Sequence, residues 1–511
     1  MKKRNKLAAL ITAAAMTVGL VMSALNVSAE SEKVLKVATN WEKASFDYAQ
    51  WSDASGCKVG TAIYETLLTL DENKEIQPYL AESYEVSEDY KTYTFHLRQG
   101  VQFHAGYGEM TSEDVAYSLE RLSDPDVGAV TAPEKAKVSN IESMDTSDPY
   151  TFVLNLKEPD VNVLMDFASW YTFVTSKKAG EELGTGLGQT PVGTGAFEYE
   201  SGKIAESYTV KKFEDYWGET AKVDKITVTL LADEINAVNA FDAGEIDITG
   251  LSDANNIKKY QDSEVGTLTQ ISDNQNYYLG MNCTDEILSN KEVRQALSYA
   301  INYEELIDAY FQGNQKLPSG YVPSDCMYSK ATLTPTYDPE KCKEMLAEAG
   351  YPDGFTVTCS AVNDTMSKGP LMVIQQYLAA VGVNMELDLA EYATYIEKVR
   401  AGEAQMWFMI NGDGFMGSDW LPCFASDQAP GRNWDMYQNP EYDECLENAE
   451  ATADLEEKTE WYGKAQDILT EDMPSIVCAE YMSTTLTRNT VTNVERDVRN
   501  YIKWNLVDIT E

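Results

Sequence analysis

The chain has 511 residues, with 83 Asp and Glu against 40 Lys and Arg and a formal net charge of −43. An acidic surface of that size repels nucleic acid and anionic lipid, which excludes both as partners. Hydrophobic residues make up 43% of the chain, with 9 Trp and 31 Tyr, so the acids cover a well-populated core and intrinsic disorder is excluded too.

Lys2, Lys3, Arg4 and Lys6 precede an apolar run over residues 7–25, and Val27-Ser28-Ala29 precede the acidic Glu30. Basic head, apolar body and small residues at a cut site predict a signal peptide over 1–29. The run approaches the length of a membrane span, but its Ala and Thr content favours cleavage over anchoring. No Cys stands near its end, the nearest being Cys57, so no lipid-anchor cysteine is expected. The mature chain is therefore expected outside the cytoplasmic membrane, periplasmic or associated with the cell surface. Eight Cys at wide, irregular spacing include no CxxC pair; export permits disulfides without fixing their connectivity. That spacing, with His96 and His104 the only histidines, disfavours a zinc site.

In chain order, residues 34–39 (VLKVAT) alternate as an opening strand does, and 41–47 follow as a loop. Val59, Ala62, Ile63, Leu67 and Leu68 fall near helical spacing and predict a helix over 58–69. Residues 84–86 and 92–97, around Ser87-Glu88-Asp89, predict a hairpin. Thr111, with Asp114 three residues on, predicts the capped start of a helix running to Arg121, the acid near the positive end of the helix dipole. Residues 184–195 (GTGLGQTPVGTG) are read as a crossing between lobes. No Lys-Ser or Lys-Thr follows a Gly there, so a nucleotide-binding loop would lack its cation and its metal-ligating hydroxyl. A β-rich run to Leu231 is followed by a helix over 234–241 and a turn into a buried strand at 244–248 (GEIDI).

From Tyr277 strand and helix alternate. Strands are expected at 277–282, 355–360, 385–389 and 406–410, and helices at 291–309, 340–349, 370–380 and 392–401. Short links between them predict an α/β fold with a parallel or mixed sheet flanked by helices. The strand ends of such a sheet face a crevice that binds ligands.

Residues 81–121 (AESYEVSEDYKTYTFHLRQGVQFHAGYGEMTSEDVAYSLER) resemble the signature stretch of the extracellular solute-binding proteins of family 5, which serve oligopeptide, dipeptide and nickel ABC importers. Further matches follow in family order: PVGTGAF at 191–197, DYWG at 215–218, GEIDI at 244–248, YLGMN at 278–282, VRQALSYAI at 293–301 and YDPEKCKEMLAEAGYPDGF at 337–355. The resemblance implies a two-lobed, type II periplasmic-binding-protein fold with an additional domain inserted in the first lobe, and no catalysis. The expected division is lobe I over 30–62, 190–270 and 485–511, the inserted domain over 63–189 and lobe II over 271–484. Most of the matches read as structural. The turns at 98–100 and 193–195 are expected to use glycine for its backbone angles, and Arg294 to hold a carboxylate or a carbonyl at the lobe junction.

A ligand caught between two lobes favours the closed state by its differential affinity. Residues 411–420 (NGDGFMGSDW) match a Gly- and Asp-rich segment of dipeptide-binding relatives, from which an Asp pairs with the peptide's amino group. The match is in composition more than in spacing. Asp419 is expected to supply that anion, with Asp413 as the second candidate and Asn411 at the segment's head, because a buried ammonium needs a counter-charge and hydrogen bonds. Trp407, Trp420 and Trp434 near this segment, and Trp41 in the first-lobe loop, are candidate aromatic walls. Glu42, Ser45 and Tyr48 are first-lobe candidates by position, and Arg432 is a candidate for a peptide carboxylate.

The function so implied is a non-enzymatic receptor that takes a short peptide, or alternatively an oligosaccharide or other small solute, and hands it to ABC-importer permease subunits. A monomer without cofactor or metal is expected. A secreted hydrolase working with paired carboxylates is the rival, but the chain has no HExxH or GxSxG motif and no Cys with a matching His context.

Overall fold

The computed structural model describes residues 32–40, 45–51, 57–412 and 415–510, with backbone alone for 57 and 58. The expected signal peptide falls outside them, and among the described residues no helix is long and apolar enough to cross a membrane. Ten strands among these residues form one mixed sheet through both lobes. Their order is Phe197–Lys203, Ser207–Lys212, Lys225–Leu230, Val34–Thr39, Ile248–Leu251, Ser475–Arg488, Gly266–Met281, Met406–Asn411, Phe355–Val362, Val383–Ala390. Val34–Thr39 is parallel to both its neighbours, as is Phe355–Val362, and the other pairings are antiparallel.

Two of these strands join the lobes. Gly266–Met281, 16 residues long, pairs with the 14-residue Ser475–Arg488 from Gly266 opposite Arg488 to Gly280 opposite Ser475. One end of this ribbon completes the sheet of the first lobe and the other end begins that of the second. Register slips between Ser272 and Gln275 and again between Tyr277 and Tyr278, and Asn274 has a φ of 59°. Such bulges bend a strand and increase its local twist.

A separate antiparallel sheet, ordered Ala81–Val86, Thr92–Leu97, Thr151–Leu156, Ile141–Asp148, carries the predicted hairpin and forms the inserted domain. The helix Ser112–Glu120 begins as expected: Asp114 accepts from the Thr111 backbone N–H at 2.8 Å, an arrangement that stabilises a helix start by about 1 kcal/mol. The core of this domain, with Tyr93, Phe95 and Phe152, also takes in Met327, Phe415 and Met416 from the second lobe. In the second lobe the sheet is covered on both faces, by Leu297, Leu371 and Ile374 on one side and Tyr395, Tyr442 and Tyr462 on the other.

Several expectations need correction. The helix predicted over 58–69 is Cys57–Ile63, because Leu67 and Leu68 already belong to the inserted domain's core. The helix predicted over 291–309 ends at Ala300; Asn302 then caps a new turn by accepting from the Glu305 N–H at 3.2 Å. Residues 184–195 leave the core around Phe95, which takes Leu187 and Val192, and lead to Ala196 and Phe197 in the core around Tyr48, so they do not cross to the second lobe. Gly193 and Gly195 keep negative φ; what excludes a side chain is the Ile63 carbonyl, 2.1 Å from a Cβ on Gly193, and the Ala62 carbonyl, 2.5 Å from one on Gly195. Arg294 lies within the second lobe, where it donates to the carbonyls of Leu288, Ser289, Asp472 and Met473. The seven cysteines with described side chains are free thiols.

The family-like motifs converge on one buried carboxylate. Glu65 accepts from the Thr194 hydroxyl at 2.7 Å, Trp217 Nε1 at 2.9 Å, and the hydroxyls of Tyr79 and Tyr216 at 2.7 and 2.8 Å. Burial raises its pKa and these donors oppose the rise. PVGTGAF and DYWG are thereby tied to the end of the first helix.

Candidate ligand site at the seam between the lobes

The strand Met406–Asn411 delivers the segment that holds Asp419. Asn411 is half-buried and its Oδ1 accepts from the Gly412 N–H at 2.9 Å, turning the chain away from the sheet. A side chain on Gly412 would put its Cβ 2.3 Å from the Asn274 carbonyl of the ribbon bulge, so only glycine fits. Gly417 N–H then donates to the Met327 carbonyl at 2.9 Å, anchoring the short helix Gly417–Trp420 in whose first turn Asp419 stands.

Asp419 faces a cavity of about 40 Å³ that both lobes and the inserted domain wall in, with Trp170, Tyr171, Phe415, Arg499 and Tyr501 around it. Arg499 is engaged with Asp497 Oδ2 at 2.5 and 2.8 Å and with the Ala168 carbonyl, which pins the C-terminal segment to the inserted domain. The wall is therefore aromatic, with one acid from the second lobe and a cation matched by its own acid. A larger cavity of about 600 Å³ has Glu65 in its wall, but none of its lining residues comes from the second lobe, so lobe movement does not close it.

Behind Tyr171, the inserted domain supplies Asp166. Its Oδ1 accepts from the Tyr171 hydroxyl at 2.8 Å, and Lys137 Nζ stands 3.9 Å from Oδ2. Burial pushes the Asp166 carboxyl up to about 7; Lys137 works against this, whereas the charges of Asp160 and Asp419 add to it.

The other expected site residues stand elsewhere. Trp41, Glu42 and Asp413 lie outside the described residues. Ser45 is a turn residue: its Oγ accepts from the Asp47 N–H and its carbonyl from Trp51 Nε1. Tyr48 is sealed in the first-lobe core beside a buried Asp47–Arg121 pair bonded at 2.5 and 2.8 Å, and burial raises its hydroxyl to about 12. Trp407 and Trp420 are core side chains of the second lobe, Trp420 packing on Tyr278 with ring centroids 5.1 Å apart. Trp434 covers Trp407 edge to face at 5.2 Å. Arg432 braces the site from behind, donating to the Asp419 carbonyl at 3.1 Å and reaching Glu134 across the seam at 3.9 Å. The aromatic wall thus comes from Trp170, Tyr171, Phe415 and Tyr501, and the Ser169-Trp170-Tyr171-Thr172 stretch carries no motif that marks it.

The inserted domain makes further polar contacts across the seam. Lys74 Nζ donates to the Asp325 carbonyl at 2.6 Å and lies over the Phe415 ring. Asn162 accepts from Lys458 Nζ and donates to Glu450 Oε2 at 2.6 Å. No group of His, Cys, Asp and Glu able to hold a metal ion occurs among the described residues.

Comparison with known proteins agrees with this architecture. The model of the bacterial extracellular solute-binding proteins, family 5 Middle, matches residues 75–431. The glutathione-binding protein GsiB of Salmonella typhimurium is 31% identical over 476 residues, covering 90% of this chain and 91% of that protein. GsiB of Escherichia coli K12 is 31% identical over 479 residues with the same coverage. Among solved structures, the periplasmic binding protein DppA from Helicobacter pylori in complex with the peptide STSA shares 26% identity at a TM-score of 0.81, covering 94% of this chain and 98% of that one. AgaA from A. tumefaciens R10 in complex with agropinic acid shares 27% at 0.78, covering 94% and 99%. The fold is the two-lobed type II periplasmic-binding-protein fold with an inserted domain, and the chain belongs to the bacterial extracellular solute-binding proteins of family 5.

Proposed function

We propose that this chain is the extracytoplasmic receptor of an ABC importer, taking a short peptide or peptide-like solute at the seam and handing it to membrane permease subunits. It carries out no reaction. The moving units are the lobes as divided in the sequence, and the ribbon of Gly266–Met281 and Ser475–Arg488, bulged at Ser272 to Gln275, is where they bend.

The observation that carries this reading is the acid Asp419 on the second-lobe side of an aromatic-walled cavity between the lobes, which at about 40 Å³ has room for an end group such as an ammonium and takes a whole peptide only with the lobes parted further. A peptide ammonium desolvated there needs an anion, and Asp419 supplies it. Two named relatives support a peptide class: GsiB by its glutathione and DppA by its bound peptide. Calorimetry of the purified protein against di- to pentapeptides, with glutathione included, tests it. Binding at a 1:1 ratio with a raised melting point is expected; absence of heat with every peptide removes the peptide claim.

Aromatic walls also suit an oligosaccharide, and agropinic acid is bound by AgaA, so a non-peptide solute is the second reading. Asp419→Asn separates the two. A peptide amine loses most of its affinity, about a hundredfold for a charge-assisted contact worth up to ~3 kcal/mol, whereas a neutral sugar loses much less.

A further inference from the structure

The chamber of about 600 Å³ lies beside the seam cavity and shares Leu70, Trp170, Arg499 and Tyr501 with it, but not Asp419. Its volume falls within the roughly 300–1,000 Å³ of small-molecule sites, which are mostly apolar with a few convergent polar groups. Tyr79, Tyr216, Trp217 and Trp504 are in its wall. The first three donate to the Glu65 carboxylate at 2.7, 2.8 and 2.9 Å, so their rings are held before any ligand arrives.

The acids of this wall are mostly spent. Glu65 is occupied by its donors, and Asp71 accepts from the N–H groups of Asn73 and Glu75 and from Gln77 Nε2. Asp497 pairs with Arg499 and Glu219 with Lys222, which leaves the exposed Glu72. Against it stand Arg496 and the exposed Lys503, and neither makes an ion pair with a described residue. Arg496 is half-buried and donates to the Asn500 carbonyl at 2.8 Å and the Thr485 hydroxyl at 3.0 Å, two neutral acceptors for a group with five N–H donors. By contrast, Arg121 forks onto Asp47 and Arg294 reaches four carbonyls. Burial holds the Arg496 pKa below the ordinary guanidinium value, and the more distant charges of Asp273 and Asp497 only oppose that fall.

We propose that this chamber is a second binding site, for a small aromatic carboxylate whose anionic end pairs with Arg496 while its ring lies against the aromatic wall. The inference goes beyond the receptor reading, since it holds whatever solute Asp419 takes. The planar fork of a guanidinium matches the two oxygens of a carboxylate, and such charge-assisted bonds are about twice as strong as neutral ones. The anion supplies the counter-charge that Arg496 lacks, and Lys503 adds a second cation to the same wall. A neutral analogue of the same shape gains the aromatic contact alone. None of the lining residues comes from the second lobe, so the site is present with the lobes open or closed.

The test compares phenylacetate with its neutral isostere phenylacetamide, each titrated into the purified protein and followed by ligand-observed NMR. Saturable 1:1 binding of phenylacetate is expected, with the amide at least about tenfold weaker; this comparison needs no variant. Arg496→Gln is expected to bring phenylacetate down to the level of the amide, and Arg496→Lys to keep part of the difference. Asp419→Asn alters only the neighbouring cavity, so phenylacetate binding stays within about twofold of wild type, well under the ~1.4 kcal/mol of a tenfold change. No saturation by phenylacetate up to about 10 mM, where a site of millimolar affinity is mostly filled, overturns the proposal. So does equal affinity for acid and amide, or equal affinity in Arg496→Gln. Loss of phenylacetate binding in Asp419→Asn overturns it too, because the acid then sits at the seam. If no peptide gives heat, the peptide reading fails alone, and the acid-to-amide ratio still decides this one.

Discussion

The indole N–H of Trp407 donates to Oδ1 of Asp435 at 3.0 Å, with both side chains sealed from solvent. Oδ1 also accepts from the Met281 N–H at 3.0 Å, and Oδ2 from the Ser475 hydroxyl at 2.7 Å. One carboxylate therefore ties Met406–Asn411 to the second-lobe ends of both ribbon strands. This is why Trp407 serves the core: its polar edge is satisfied from behind the sheet, and nothing is left for a ligand.

Asp435→Ala leaves three buried donors without their acceptor, at about 1–3 kcal/mol each. Urea unfolding is expected to show a loss of at least ~3 kcal/mol. A change below ~1 kcal/mol shows that the site relaxes and that Asp435 is not the tie the geometry makes it.

Burial pushes the Asp435 carboxyl up to about 7, against the pull of its three donors. The folded chain then holds a proton that the unfolded chain gives up near the ordinary carboxylate value, about 3.9. Stability from this group is complete below about 4 and is lost as pH rises through 7, with a slope approaching 1.4 kcal/mol per pH unit inside that window. Asp166, displaced in the same direction, adds to it. Unfolding free energies measured from pH 4 to 8 are expected to fall across the window in wild type and less steeply in Asp435→Asn. An identical slope in the variant excludes Asp435 as a source.

What the sequence made legible follows burial on one face. Thr92–Leu97 was predicted at its observed bounds because it has one covered face and alternates accordingly, and Val34–Thr39 because Leu35 and Val37 alternate with the exposed Lys36 before Ala38 is covered from the other face. The ribbon strands did not announce themselves. Gly266–Met281 is continuously buried only towards its second-lobe end, so the pattern marks a strand at 277–282 and misses the polar stretch TQISDNQN that crosses the waist. Ser475–Arg488 is covered on both faces for most of its length and shows little alternation. At the seam, Gly and Asp composition singled out the segment of Asp419 as a candidate. Tyr171 was not singled out, because it sits in the single turn Trp170–Thr172, too short for a periodic pattern, and only tertiary packing brings it to the cavity of Asp419. Trp407 and Trp420 were misread as cleft walls, since a Trp in a core and a Trp in a cleft look alike in composition.

The cysteines give a prediction about redox sensitivity. Cys326, Cys342, Cys359, Cys423, Cys445 and Cys478 are buried free thiols, and burial raises Cys342 to about 12. A thiol so held is a poor nucleophile, because the thiolate is the reactive form. Native protein is expected to react slowly with a thiol-specific disulfide reagent and quickly once unfolded, and a reductant to move the melting point by less than ~1 °C. A reductant-dependent fall of several degrees shows that disulfides contribute to the fold.

Asn162 offers a way to separate closure from binding. Its amide bridges the inserted domain to Lys458 and to Glu450 of the second lobe, and Lys458, 5% exposed, has few routes to water when the seam is shut. Opening the seam hydrates all three groups, so the bridge favours the closed state by the difference between bonded and hydrated forms, about 1 kcal/mol for contacts of this kind. A closed-state bias of that size multiplies apparent affinity about fivefold without any contact to the solute. Asn162→Ala is therefore expected to weaken binding of any solute by about that factor and to increase the radius of gyration of the ligand-free protein. Its melting point stays near the wild-type value, because neither lobe's core is touched. Equal affinity and an unchanged radius show that the ribbon and the apolar contact of Phe415 and Met416 hold the lobes together without it.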